Sequence, residues 1–292
     1  VLTHYVNDRE DSARWSEVPL RPGDVVVATP IKAGTTWIQT ICTLLLLRRS
    51  GLGTPLDDLS PWVDMRMVPV EAIRAGLDRQ PGRRVLKTHT PLDGLPLRAD
   101  VTYLVGARHP LDVALSTYHQ WRNIDLDVVR ASLGITTAEM PDPEPVEPAA
   151  WISRWIHEEV EDLRTEPHSL QHLMWHLSDA WRRRDEPNVA LLHYADLSAD
   201  LPGVMRALAA QLGVTIPDGA WPELVEAASF DRMRARAEEL VPRVVPFRSR
   251  AAFFRSGRSG EGVALAGEAD LAHFHRRVAE LAPPDLVTWL LR

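Results

Sequence analysis

The sequence predicts an α/β fold: one domain over residues 1–292, with a central parallel sheet flanked by helices. Three observations carry that prediction. Short apolar runs recur, and one of them, Asp24 to Thr29, is β-branched without polar alternation, as in a strand covered on both faces. Loops and then apolar-periodic helices follow those runs, which is the pattern of crossover connections. The 292 residues, 45% hydrophobic and 25% charged, are also enough to bury a large core.

Asp24 to Thr29 (DVVVAT) is the first strand. The loop Pro30 to Thr35 follows, and a helix opens near Thr36. Trp37, Ile41, Leu44, Leu45 and Leu47 recur there at near-helical spacing, with Gly51 as the expected stop. Arg84 to Thr88 (RVLKT) is the second strand and Val101 to Ala107 (VTYLVGA) the third. The turn Arg108-His109-Pro110 then leads into a helix from Leu111 to about Trp121. A helical excursion over about 123–185 precedes the fourth strand, Asn188 to Tyr194, and a helix from Leu201 to Leu212 ends at Gly213. Within the excursion, Leu170, Leu173, Met174, Leu177 and Trp181 form an amphipathic stripe that reads as a core-facing helix. Met140 to Ala149 (MPDPEPVEPA) is Pro-rich and acidic, so no regular element is expected. It reads as a surface loop, with a lid over a pocket as the sharper alternative.

Composition narrows the function. The 33 Lys and Arg face 40 Asp and Glu, for a formal charge of −7. That balance argues against a dedicated nucleic-acid binder but leaves room for a local anion site. The single cysteine, Cys42, allows no intrachain disulfide, fits a reducing compartment and reads as a small core residue. The longest apolar stretch, Ile41 to Leu47, falls far short of the roughly 20 residues that span a bilayer. Val1 to Ser16 carries Asp8, Glu10 and Asp11 rather than an apolar signal core, so a soluble cytoplasmic protein is expected.

Three segments carry chemistry. Thr29 to Trp37 joins a buried strand to a helix N-terminus, where open N–H groups and the positive end of the dipole suit phosphate or sulfate. Lys32 adds a charge, Thr35 and Thr36 add hydroxyls, and Gly34 permits close approach. This is not a Walker A loop, because the Lys precedes the Gly. At the end of the second strand, alternation puts Lys87 and His89 on one side: a cation and an imidazole at the edge where open α/β sheets bind ligands. At the end of the third, Arg108 and Ser116 can reach a phosphate lying across the helix start, although an ion pair of Arg108 with Asp112 is the structural alternative. His168, His172 and His176 share a helix face but lack a metal-binding motif, so no metal is expected.

Taken in order, these segments resemble the cytosolic-type sulfotransferases that use 3′-phosphoadenosine 5′-phosphosulfate (PAPS). The family's 5′-phosphosulfate loop stands here as Lys32-Ala33-Gly34-Thr35-Thr36-Trp37, and its Lys-Thr-His as Lys87-Thr88-His89. Its Arg-x-Pro-x-Asp-x-x-x-Ser is matched by Arg108, Pro110, Asp112 and Ser116, and its Tyr-Glu-Asp by Tyr194-Ala195-Asp196. Its Ser-Phe-x-x-Met is matched by Ser229, Phe230 and Met233, and its late Arg-Lys-Gly by Arg255-Ser256-Gly257. Lys87 to Leu95 is nearest the actinobacterial branch associated with glycolipid sulfation. There are departures. Ile31 adds a residue after Pro30, and Ser256 replaces a basic residue, with Arg258 as its expected substitute. Gly260-Glu261-Gly262-Val263 stands where Gly-Asp-Trp-Lys is usual, and the family's dimer motif is not visible, so the oligomeric state stays open.

The resemblance implies a P-loop-NTPase-like sulfotransferase fold and PAPS as sulfuryl donor, with 3′,5′-ADP as product. His89 would be the general base, Lys32 would stabilise the leaving oxygen, and Lys87 would steady the sulfuryl group. Backbone N–H groups from Gly34 to Trp37 would hold the 5′-phosphate. Arg108, Ser116 and Arg255, with the backbone at Ser256 and Gly257, would hold the 3′-phosphate. Trp37 and Phe230 would sandwich the adenine, Tyr194 would add a polar contact, and Ser229 belongs to the same motif. The expected acceptor is a hydroxyl-bearing small molecule or glycolipid, in a pocket drawing on Trp62, Trp121, Trp151, Trp155 and Phe253. Two rivals remain: a kinase-like nucleotide-dependent transferase and a non-catalytic nucleotide-binding relative.

Overall fold

The computed structural model describes residues 2–292. Four parallel strands, β1 (Val25–Ala28), β2 (Val85–Thr88), β3 (Thr102–Ala107) and β4 (Val189–His193), lie in the order β2-β1-β3-β4. Val25 pairs with both Val85 and Thr102, so β1 is central, and the chain leaves it first to one side and then to the other. Such a switch point opens a crevice at the carboxyl ends of the strands.

Helices cover both faces. Between β1 and β2 lie α1 (Thr35–Leu47), α2 (Leu56–Leu59) and α3 (Val70–Asp78). After β3 come α4 (Pro110–Asn123), α5 (Leu126–Leu133), α6 (Pro148–His157) and α7 (Leu170–Arg182). Beyond β4 the chain is helical: α8 (Tyr194–Ala199), α9 (Leu201–Gln211), α10 (Trp221–Ala227), α11 (Phe230–Ala235) and α12 (Ala237–Leu240). It ends with α13 (Glu261–Leu265), α14 (Glu268–Leu281) and α15 (Pro284–Leu290).

Strand alternation divides the core in two. Val26, Ala28, Tyr103 and Val105 face α4, α6, α7, α14 and α15, whereas Val25, Val27 and Leu104 face α1 and α8 to α12. In the stripe, Leu170, Leu173, Met174 and Leu177 are buried as the spacing predicts, whereas Trp181 is half-buried with its indole N–H on Asp285. Cys42 is also buried, and burial pushes its thiol pKa up to about 12. At the amino end of the sheet the fully buried Arg84 guanidinium pairs with both carboxylate oxygens of Asp24, at 3.0 and 2.5 Å.

Some boundaries move. α1 stops at Arg48, which takes a left-handed φ of 54°, and not at Gly51. Tyr194 opens α8, with the His193 side chain accepting from the Ala195 N–H, and does not end β4. Pro148 starts α6, since the first turn of a helix needs no proline N–H; only 141–147 lacks regular structure. That stretch is pinned rather than loose. The buried Arg130 bonds the Met140 carbonyl and the Asp142 carboxylate, and the Tyr118 hydroxyl donates to the Val146 carbonyl. Among the described residues, no helix is long and apolar enough to cross a membrane.

Candidate functional site

A cavity of about 490 Å³ opens at the switch point and gathers residues from β2, from the segments that follow the four strands and from the C-terminal part of the chain. Lys32, Gly34, Thr35, Thr36, Trp37, Lys87, His89, Arg108, Ser116, Tyr194, Phe230, Arg255, Ser256 and Gly257 all line it. Two predicted residues do not. Ala33 is buried beneath the loop, its N–H donating to the Pro30 carbonyl. The Ser229 hydroxyl instead caps α11, accepting from the Arg232 N–H at 3.3 Å.

The loop after β1 turns through two left-handed residues, Lys32 (φ 66°) and Gly34 (φ 96°). Gly34 caps α1 with no side chain, which leaves the first-turn N–H groups open toward the cavity. The Thr35 hydroxyl bonds that of Thr29. Beneath the loop lies Gly106 of β3, where a Cβ would come within 2.6 Å of the Ala33 carbonyl oxygen. The loop can therefore rest directly on β3 only because that strand carries a glycine.

Three basic groups converge. Lys32 Nζ donates to Gln120 Oε1 at 2.6 Å and stands 4.1 Å from the Phe253 ring centre. Burial, with Arg108 and Lys87 nearby, lowers its pKa to about 7. Lys87 sits 3.6 Å from the Trp62 ring centre, and burial lowers its pKa to about 8 despite the opposing Asp57, Glu10 and Asp64 charges. His89 Nδ1 lies 2.7 Å from the Thr29 carbonyl oxygen. A carbonyl only accepts, so Nδ1 carries the proton and Nε2 keeps its lone pair. Burial and the Lys87 charge hold the His89 pKa well below its ordinary value, so the ring is neutral at pH 7. Trp62 organises both partners, meeting His89 edge-on at 4.8 Å while its face carries Lys87.

At the far end, the Arg108 guanidinium stacks 4.3 Å from the Tyr194 ring centre and donates to the Arg258 carbonyl, while its Nε is buried without a partner. Tyr194 in turn packs edge-on against Trp37, whose indole N–H donates to the Ala228 carbonyl. Gly257 lies under Phe230, where a Cβ would come within 2.8 Å of the ring. Asp112 does not pair with Arg108; it accepts from the Gly260 and Gly262 N–H groups at 2.8 and 2.9 Å. Nor does Arg258 stand in for the missing base at 256, because its side chain is exposed and off the cavity wall. Gly262 replaces the usual Trp for a visible reason: a Cβ there would meet the Leu111 carbonyl oxygen at 2.1 Å.

The other half of the cavity is apolar, walled by Met65, Met67, Ile124, Leu133, Met140 and Phe247 among others. Of the five aromatics expected there, Trp62 and Phe253 line it and three do not. Trp121 is 47% exposed. Trp151 and Trp155 pack in the helical layer, where each indole N–H is satisfied by a carbonyl, that of Ala114 or His168. His168 reaches the cavity, whereas His172 bonds the Leu163 carbonyl.

These features form an anion loop and a neutral imidazole facing an apolar chamber. The profile of the sulfotransferase domain family matches residues 22–261. The chain belongs to the sulfotransferase family. It is 36% identical over 300 residues to a glycolipid sulfotransferase of Mycobacterium bovis, covering 96% of this chain and 91% of that protein. It is 26% identical over 253 residues to sulfotransferase 1B1 of the dog, covering 82% and 77%. A solved structure of mouse sulfotransferase SULT7A1 complexed with PAP shares the fold, with a TM-score of 0.69, 18% identity and coverage of 95% and 90%. Another, of retinol dehydratase with androsterone and PAP, has a TM-score of 0.69 at 19% identity, covering 96% and 89%.

Sequence reasoning missed part of this sulfotransferase's wall. Asn7, Asp8, Arg9 and Glu10 line the cavity, although the N-terminal stretch reads only as acidic and without a signal core. Glu10 is buried beside Asp64, and burial and that carboxylate raise its pKa to about 8. Asp64 accepts from the Thr88 and Thr90 hydroxyls on either side of His89. No local pattern marks either carboxyl, because the chain folds back from residue 10 to pair with Met65.

Proposed function

We propose that this sulfotransferase moves the sulfuryl group of PAPS to a hydroxyl of an apolar small molecule or glycolipid and releases 3′,5′-ADP. The observation that carries the reading is Lys32, Lys87 and His89 in one cavity, between an open helix N-terminus and an apolar chamber. The residues suit the donor: the first-turn N–H groups and the unpartnered Arg108 Nε await an anion. The donor supplies the sulfuryl group, and this chain supplies position and charge. Gly34 to Trp37 hold the 5′-phosphate, and Arg108, Ser116 and Arg255 hold the 3′-phosphate. Trp37 and Phe230 take the adenine, beside Tyr194, Ser256 and Gly257.

His89 Nε2 accepts the acceptor's hydroxyl proton as the new O–S bond forms and the bridging S–O bond breaks. Lys32 offsets the charge that develops on the departing phosphate oxygen, and Lys87 steadies the equatorial oxygens. The apolar chamber takes the acceptor's body, in keeping with the glycolipid sulfotransferase relatives. Burial weakens His89 as a base in the free enzyme, and donor charge beside Lys87 strengthens it when the proton must move. On this reading the reaction belongs in the cytoplasm, and the single buried cysteine fits such a reducing compartment.

Calorimetric titration with 3′,5′-ADP beside 5′-AMP tests the donor. Binding that depends on the 3′-phosphate, with that dependence lost in Arg108→Ala, is expected. Equal affinity for the two nucleotides, or an equal loss for both in the variant, rejects the assignment.

A further inference from the structure

The corner that would receive the 3′-phosphate already contains an anion. One oxygen of Glu261, Oε2, accepts both from Arg255 Nη2 and, at 2.7 Å, from Ser256 Oγ. Nearby, Arg108 Nη2 donates to the Arg258 carbonyl at 3.0 Å. Both guanidiniums proposed for the 3′-phosphate are thus engaged by acceptors of the same short segment, 258–261. Ser256 removes a further cation, so the corner sets two guanidinium charges against one carboxylate. Glu261 is about one-third exposed and, among the described residues, its carboxylate bonds only Arg255 and Ser256, so its side chain can swing out.

We infer that Glu261 is an internal competitor for the 3′-phosphate, occupying Arg255 and Ser256 in the free enzyme and leaving when the nucleotide enters. The inference rests on the donor site proposed above. Its physical basis is a difference between states. A phosphate replaces the carboxylate on Arg255 rather than adding to it, so part of the binding energy is spent on breaking the Arg255–Glu261 pair. Any Glu261 charge left nearby also repels the phosphate. The consequence is weaker nucleotide binding, and so faster loss of the product, than the same corner without the carboxylate would give.

Glu261→Gln removes the charge while keeping the shape, and the test is calorimetric titration of wild type and variant with 3′,5′-ADP and 5′-AMP. The expected result is a Kd for 3′,5′-ADP lowered about tenfold in the variant, with the Kd for 5′-AMP changed less than about twofold. A weaker or unchanged 3′,5′-ADP affinity would show that Glu261 instead positions Arg255, and would overturn the inference. An equal gain for both nucleotides would do the same, since it reports a general charge effect. If wild type fails to distinguish the two nucleotides, the donor-site reading falls first and this inference with it. Thermal melting of the variant checks that the fold is retained, and competitive inhibition by 3′,5′-ADP gives a second reading of the same affinity.

Discussion

Donor-site binding should take up protons, and the amount follows from the two lysines. Lys32 has its pKa lowered to about 7 by burial with Arg108 and Lys87 nearby, and Lys87 has its own lowered to about 8 by burial, against the opposing carboxylates. At pH 7.5 Lys32 is about three-quarters deprotonated and Lys87 about one-quarter. An anionic nucleotide beside them favours the charged forms and restores both. The expected uptake is therefore about one proton per 3′,5′-ADP at pH 7.5, falling toward zero near pH 6 and approaching two near pH 9. Because protons are bound with the ligand, affinity falls as pH rises, by about tenfold between pH 7 and 8. Titration in buffers of different ionisation enthalpy measures the uptake directly. In Lys32→Met it should drop to about a quarter of a proton at pH 7.5. Uptake near zero in wild type, or unchanged in the variant, would refute partly neutral lysines in the free enzyme.

Two further outcomes follow from the same geometry. His89→Ala should lower turnover by about 10²-fold or more while 3′,5′-ADP still binds; near-normal turnover in a donor-consumption assay would remove the general-base role. Asp24→Asn should destabilise the fold by about 3–5 kcal/mol in denaturant unfolding, because it leaves the Arg84 guanidinium buried without its charge partner. A loss below about 1 kcal/mol would mean that the pair is structurally idle.

Much of the site was legible because its chemistry is local. An anion loop needs a strand, a turn and a helix start in succession, and 29–37 supplies all three within nine residues. Lys87 and His89 are placed by strand alternation, and Arg108 and Ser116 by a strand end and the helix after it. Each is a short-range consequence of backbone geometry. The same holds for β1 and β3, whose apolar runs announce burial on both faces, whereas in the edge strand β4 only Val189 and His193 are buried.

Long-range placement escaped this reading. Trp151, Trp155 and Trp62 look alike as isolated aromatics, yet only Trp62 faces the cavity, carrying Lys87 on its face and His89 at its edge. Gly106 is one residue in a strand until the fold lays the Ala33 carbonyl across it. Glu261 is only part of a divergent stretch until Arg255 and Ser256 are seen to share its oxygen.

The sequence by itself determined the reaction family, the parallel sheet and the candidate residues Lys32, Lys87 and His89, because these depend on residues close together along the chain. The tertiary structure decided the protonation states of those groups, the wall contributed by Asn7 to Glu10 and the occupant of the phosphate corner. Each of these depends on which distant groups exclude water from, or bring charge to, a single side chain, and packing alone sets that.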